Sequence, residues 1–315
     1  MRVYIHGNCQ APALAGLMSQ IREDWEIRSF EVFANQIVGH IEEYYEIVAT
    51  SDLVISQPIH NGYRDRDDLS LSFIRKSVKP GARVIVFPSM HFEGQLIDCR
   101  SLPIRAHGMD YHNILLVHLT ASGLPLSEIL QIVADPHLYP PSFIASERER
   151  SISEMRRREI DDAVDVGLSL FLEAFAHRTQ IFHTINHPCR PALIWMTRRI
   201  LERLGQTPRV DVPPIRGPWP IPSPHIPLPP PVARALPPAD PALKDWIVED
   251  GHLYHYEDKK VSPDSYYSDA ITDLRCHSSE SLVGFLCEPP AKSFLGRLAR
   301  VRPDIPGIGF WNRSI

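Results

Sequence analysis

The chain has 315 residues, 43% hydrophobic and 23% charged, a balance that suits a folded globular protein with at least one full core. Its formal net charge of -5 argues against a dedicated nucleic-acid binder, although a local basic patch can still hold a nucleotide-bearing ligand. No apolar run approaches the ~20 residues of a membrane span, and the first strand starts at the initiator methionine with no room for a signal peptide, so the expected location is the cytoplasm.

Met1-Arg-Val-Tyr-Ile5 is an apolar, β-branched run that predicts a strand. His6-Gly7-Asn8-Cys9-Gln10 makes the turn, and Ala11 to Ile21 predicts a helix. Trp25 to Phe33 predicts a second strand, followed by a helix from Ile37 to Ala49 with Ile37, Ile41, Tyr44 and Tyr45 on one face. Asp52 to Ser56 is a third strand ending at Gln57-Pro58, Leu71 to Val78 a short helix, and Arg83 to Phe87 a fourth strand ending at Pro88. This alternation predicts βαβ units, a parallel sheet, and ligands at the C-terminal ends of the strands.

The middle third predicts helices. One runs from Leu124 to Val133, and Ser151-x-x-Glu154 resembles a capping box that opens another. Ile160, Val164, Leu168, Phe171 and Phe175 form an apolar stripe at helical spacing. Gln180 to Ile185 predicts a fifth strand leading into Asn186-His187-Pro188, with a helix from Pro191 to Leu204 after it. Between Pro208 and Pro241 lie 14 of the chain's 30 prolines, which argues against any helix or central strand and for an extended arm. Beyond it, Asp250-Gly251 between two apolar-rich runs, Trp246 to Tyr256, predicts a hairpin. The expected division is a catalytic α/β domain over 1–205, a proline-rich arm over 206–242 and a C-terminal extension over 243–315.

Three strand ends carry polar residues that converge if the sheet is doubly wound: His6 to Gln10, Ser56 to His60, and Pro88 to Phe92. Asn186-His187-Pro188 is the fourth such element. A cysteine at a strand-to-helix turn sits among unpaired helix N–H groups, and that setting predicts a lowered thiol pKa and a nucleophilic thiolate. Cys9 with His187 as base supplies a nucleophile–base pair. Backbone N–H groups after Cys9, with the amides of Asn8 or Gln57, supply donors for a developing oxyanion. His6, His60 and His91 compete as base. The plainer readings are that Cys9 is a small buried hydrophobe and that most of the 15 histidines belong to core or surface. The Arg156-Arg157-Arg158 run is interleaved with glutamates and reads as a solvated helix face. Arg64 and Arg66 follow the third strand on the presumed active side and are candidates to meet phosphates. The five cysteines show no metal-ligand spacing and read as free thiols, so no metal is expected.

Gly7-Asn8-Cys9-Gln10 after an N-terminal strand, Gln57-Pro58-Ile59 with Tyr63-Arg64 beyond it, and Asn186-His187-Pro188 together resemble the WcbI-type polysaccharide biosynthesis acetyltransferases. The resemblance covers about residues 1 to 205. It implies a three-layer α/β fold with a parallel sheet of the SGNH-hydrolase and flavodoxin-like kind, coenzyme A binding, and O-acetylation of capsular sugars. SGNH hydrolases place their nucleophile after the first strand and their base in an Asp-x-x-His-Pro turn. By that comparison Cys9 stands at the nucleophile position and His187 at the base position, with Thr184 where the orienting Asp is expected. His6, Gln10, Arg64, His91 and Asn186 are then expected to contact substrate or cofactor.

The resulting expectation is acyl transfer from acetyl-CoA to a sugar hydroxyl. Either Cys9 carries the acyl group, or His187 deprotonates the sugar directly and Cys9 shapes the site. A Cys-His esterase or deacetylase and a non-catalytic CoA- or carbohydrate-binding module are the rival classes.

Overall fold

In the computed structural model, residues 1–32, 36–106, 109–206, 226–237, 254–256 and 259–313 are described. The first part runs β1 (Arg2–Gly7), α1 (Gln10–Ile21), β2 (Glu26–Glu31), α2 (Gln36–Gly39), α3 (Ile41–Thr50), β3 (Leu53–Ser56), α4 (Leu71–Ser77) and β4 (Arg83–Val86). Next come β5 (Cys99–Ala106), β6 (Met109–Asn113), α5 (Ile114–Ala121), α6 (Leu126–Ala134), α7 (Pro141–Asp161), α8 (Ser169–Phe175), β7 (Phe182–Thr184), β8 (His187–Pro188) and α9 (Arg190–Arg203). The chain closes with α10 (Pro230–Ala235), β9 (Tyr254–Tyr256), β10 (Lys259–Val261), α11 (Pro263–Leu274), α12 (Ser279–Leu286), α13 (Pro289–Val301) and a 3-10 turn over Ile308–Arg313.

β1 to β4 form one parallel sheet in the order β2-β1-β3-β4. Period-two alternation divides its side chains between two cores. Val3, Ile5, Leu53 and Ile55 face one core, which α1, α8 and α9 complete, while Tyr4 and Val54 face another with Tyr44 and Val48 of α3 and Ile74 of α4. Helices thus cover both sheet faces, the arrangement that a buried parallel sheet requires. β1 leads to a helix on one face and β3 to a helix on the other. The chain therefore parts between them, and a crevice opens at their C-terminal ends.

A third core joins residues on both sides of the proline-rich stretch. Ile114, Leu115, Leu116, Val117 and Leu119 of α5 pack with Ile226, Leu228 and Val232, and with Tyr266, Phe294 and Leu298 of the C-terminal helices. Polar and apolar residues mix throughout 263–313, so these helices announce themselves weakly in the sequence.

Several expectations are corrected. α7 runs unbroken through Ser151, whose hydroxyl accepts the Glu93 N–H at 2.9 Å instead of capping a new helix. Ile160 is exposed near the end of α7, and α8 starts only at Ser169, so the 160–175 stripe is not one helix. The predicted fifth strand is β7, which pairs with β8 outside the main sheet. The described part of the arm contains a helical turn, α10, because prolines fit a first turn whose N–H groups have no helical partner. A ribbon of β9 and β10 is present, while the predicted Asp250-Gly251 turn lies outside the described residues. No helix among the described residues is long and apolar enough to cross a membrane.

Candidate active site

The site lies at the crevice between the ends of β1 and β3. Gly7 has no side chain there for a reason: a Cβ would stand 2.7 Å from Gln57 Oε1. Gln57 uses that space to reach under the turn. Its Oε1 accepts the Asn8 N–H at 2.9 Å, and its Nε2 donates to Gln10 Oε1 at 2.9 Å and to Asn8 Oδ1 at 3.3 Å. Asn8 Oδ1 also accepts the Gln10 N–H at 3.0 Å, satisfying an unpaired donor of the first turn of α1.

Gln10 is fully buried and is the hub of the site. Its Oε1 accepts the Met90 N–H at 2.9 Å, and its Nε2 donates at 2.7 Å to the carbonyls of both Met90 and Asn186. This amide ties the β1 turn to the segment after β4 and to the distant Asn186-His187 turn. There Thr184 Oγ1 donates to Asn186 Oδ1 at 3.1 Å and lies 2.8 Å from His187 Nδ1. With its one proton given to Asn186, the hydroxyl can only accept from the ring, so His187 carries its proton on Nδ1 and its lone pair on Nε2. The Tyr111 ring meets the His187 ring edge-on at 5.6 Å.

Asn8, Gln57, Gln10, Asn186, Thr184 and His187 therefore form one continuous hydrogen-bonded chain. Cys9 sits between two of its members in sequence. Gln57 and Gln10 have their amides committed to bracing, which for Gln57 is the orienting alternative to an oxyanion donor. Asn8 Nδ2 makes only a long 3.4 Å contact with Ser89 Oγ. His91 follows Met90 and lies 3.3 Å from Glu93.

Two expected residues stand elsewhere. His6 is buried on the other sheet face, where Nε2 donates to the Leu69 carbonyl at 2.8 Å and Nδ1 accepts from Tyr4 at 2.9 Å. Arg64 is exposed on the loop after β3, with φ 52° and its guanidinium 5.8 Å from the Tyr63 ring. Sequence reasoning missed Glu31, which lies opposite Gly7 at the end of β2, and Tyr111 of β6. The rule that function gathers at strand C-termini pointed to Glu31; nothing local marked Tyr111.

The thiol is tuned opposite to expectation. Burial, then the negative charge of Glu31, push Cys9 up to about 12, and its own backbone N–H offsets only part of this. Cys276 and Cys287 are the exposed cysteines among the described residues. Burial also lowers both His187 and His6 to about 4, His183 adding to the effect at His187.

Those two imidazoles carry a pH prediction. In the unfolded chain each protonates near its ordinary 6.5, whereas in the fold each stays neutral down to about 4. Between these values the unfolded chain binds more protons, so stability falls as pH drops. The full loss is on the order of 3 kcal/mol for each histidine. Urea unfolding should show stability level above pH 7 and declining steadily from about 6.5 towards 4. A curve that stays flat over that window would contradict the neutral assignment.

Among the described residues, no group of three or more His, Cys, Asp or Glu is placed to hold a metal ion. The described cavities at this sheet edge include one of about 430 Å³ beside His91 and Glu93, and one of about 480 Å³ beside Pro58 and His60.

Comparison with known proteins now adds to the geometry. A solved structure of WcbI, described as a novel polysaccharide biosynthesis enzyme in a native form without a disulfide bond between CoA and one of its cysteines, superposes with a TM-score of 0.74. It is 21% identical, with 99% of this chain and 98% of that one covered, so the likeness extends through the C-terminal helices as a shared fold. No curated protein matches the chain. The family model of the polysaccharide biosynthesis enzyme WcbI matches residues 2–209, which hold every residue of the hydrogen-bonded chain around Cys9 and His187, and the protein belongs to that family.

Proposed function

We propose that the protein moves an acyl group, acetyl in the simplest case, from acetyl-CoA to a sugar hydroxyl in surface-polysaccharide synthesis. The observation that carries this reading is the braced His187, whose Nδ1 lies 2.8 Å from the Thr184 hydroxyl in the hydrogen-bonded chain that also holds the Cys9 turn. Thr184 does the orienting work that an Asp does in SGNH hydrolases, the architecture to which we assign this sheet. In the reaction, Nε2 takes the proton of the sugar hydroxyl as its oxygen attacks the thioester carbonyl. The carbon–sulfur bond then breaks, and the departing CoA sulfur recovers the proton from the imidazolium. Asn8 Nδ2, which otherwise makes only the long contact with Ser89, is the donor for the carbonyl oxygen.

The raised Cys9 thiol favours direct transfer over an acyl-cysteine, since almost none is thiolate near neutral pH. Cys9 then lies beside the CoA sulfur without taking the acyl group. The solved relative is in keeping with this role, its native form being one without a disulfide bond between CoA and a cysteine.

The test is incubation with acetyl-CoA and candidate saccharides, reading CoA release and O-acetylated sugar by mass. Cys9→Ser should keep most of the turnover, and intact mass should show no acetylated protein. An acetyl adduct on Cys9, with activity lost in Cys9→Ser, would establish the covalent route instead. Acetyl release to water alone would mark an esterase.

A further inference from the structure

We propose that the 430 Å³ cavity between the segment after β4 and the middle of α7 is the subsite for the acceptor sugar, and that it takes a neutral, polyhydroxylated ring; this rests on the acyl-transfer reading. The volume lies in the ~300–1,000 Å³ range of small-molecule sites. One wall residue links the cavity to the braced site, because His91 directly follows Met90, whose N–H and carbonyl are both held by Gln10.

Its walls are built rather than incidental. Glu93 is pinned by Arg150 at 2.8 Å, Arg100 at 3.1 Å and His91 at 3.3 Å. Arg150 also reaches the buried Glu147, which Arg297 of α13 holds at 2.5 Å. These contacts keep the carboxylate of Glu93 ionised far below its ordinary range, despite burial. Arg158 contacts Glu154 at 2.9 Å, and Arg157 is shared between Glu154 and Asp161.

That pairing decides the ligand class. Every guanidinium lining the cavity already faces a carboxylate, so most of its positive charge is compensated before the phosphates of CoA could meet it. Paired carboxylates and guanidinium groups do present fixed acceptors and donors side by side, which is what adjacent hydroxyls of a sugar ring require. A charged ligand would have to displace an existing ion pair, whereas a hydroxyl can add to one.

The experiment reads binding without acyl transfer, so it stands or falls separately from the proposed reaction. Saturation-transfer NMR, with CoA absent, is run on the full chain with methyl glycosides of glucose, galactose, mannose and N-acetylglucosamine. Ser153 is exposed on α7 at the cavity wall, so Ser153→Trp should fill the cavity while leaving the fold intact. Glu154→Gln removes an acceptor with little change in shape. We expect at least one glycoside to bind the wild type, and to bind at least about tenfold more weakly in both variants, with CoA affinity unchanged. Failure of all four glycosides to bind the wild type would overturn the proposal. Glycoside binding that survives Ser153→Trp, or a loss of CoA affinity in its place, would also overturn it.

Discussion

Replacing His187 by alanine is expected to cut acetyl transfer by about 10²–10⁴-fold, the usual contribution of a general base. CoA affinity should hardly change, because a group that acts on the reacting proton contributes in the transition state rather than to donor binding. The pH profile offers a second reading. Burial holds His187 near 4, so the base form predominates through neutral pH and the acid limb of kcat/KM should lie close to 4, not at the ordinary 6.5. Steady-state rates across pH, with CoA binding by calorimetry on the same variant, check both statements. Near-normal turnover in His187→Ala would remove the proposed base and pass the role to His91, another candidate histidine at this edge.

Gln10→Ala is expected to be the most destabilising single change at the site. The side chain joins the Met90 N–H, the Met90 and Asn186 carbonyls and the Gln57 amide, all buried or nearly so. Alanine leaves these groups without their partners, and each unsatisfied buried group costs about 1–3 kcal/mol before water offsets part of the loss. A total on the order of 4 kcal/mol follows, read as a lower urea midpoint with an unchanged slope. Activity should fall as well, because the same amide holds the Asn186-His187 turn to the Cys9 turn. A loss below about 1 kcal/mol would show that the hub is redundant or replaced by ordered water.

Local pattern was sufficient where the chain is regular and the signal short-range. β1, β2, β3, β4, α1 and α4 are legible from apolar runs and the turn residues between them, and so is the convergence of polar residues at the strand ends. Asn186-His187-Pro188 was also legible as a turn carrying a histidine. What was misread followed from competition between local and distant partners. Ser151 has the look of a helix cap, but the Glu93 N–H, 58 residues away in sequence, claims its hydroxyl, and α7 runs through.

The sequence by itself determined the parallel α/β frame, and it marked the β1 turn as the candidate site with Cys9, His187 and Thr184 as its proposed residues. Those depend on residue type and on spacing within a few positions. Only the tertiary structure decided what each of them meets. Thr184 lies 2.8 Å from His187 Nδ1, and Gln10 turned out to be a brace between three segments. His6 was taken out of the site by its place on the opposite sheet face. Cys9 ends with a raised pKa because burial and Glu31 outweigh the hydrogen bond from its own backbone N–H. Desolvation and long-range hydrogen bonding depend on what is packed around a group, and a linear sequence does not record it.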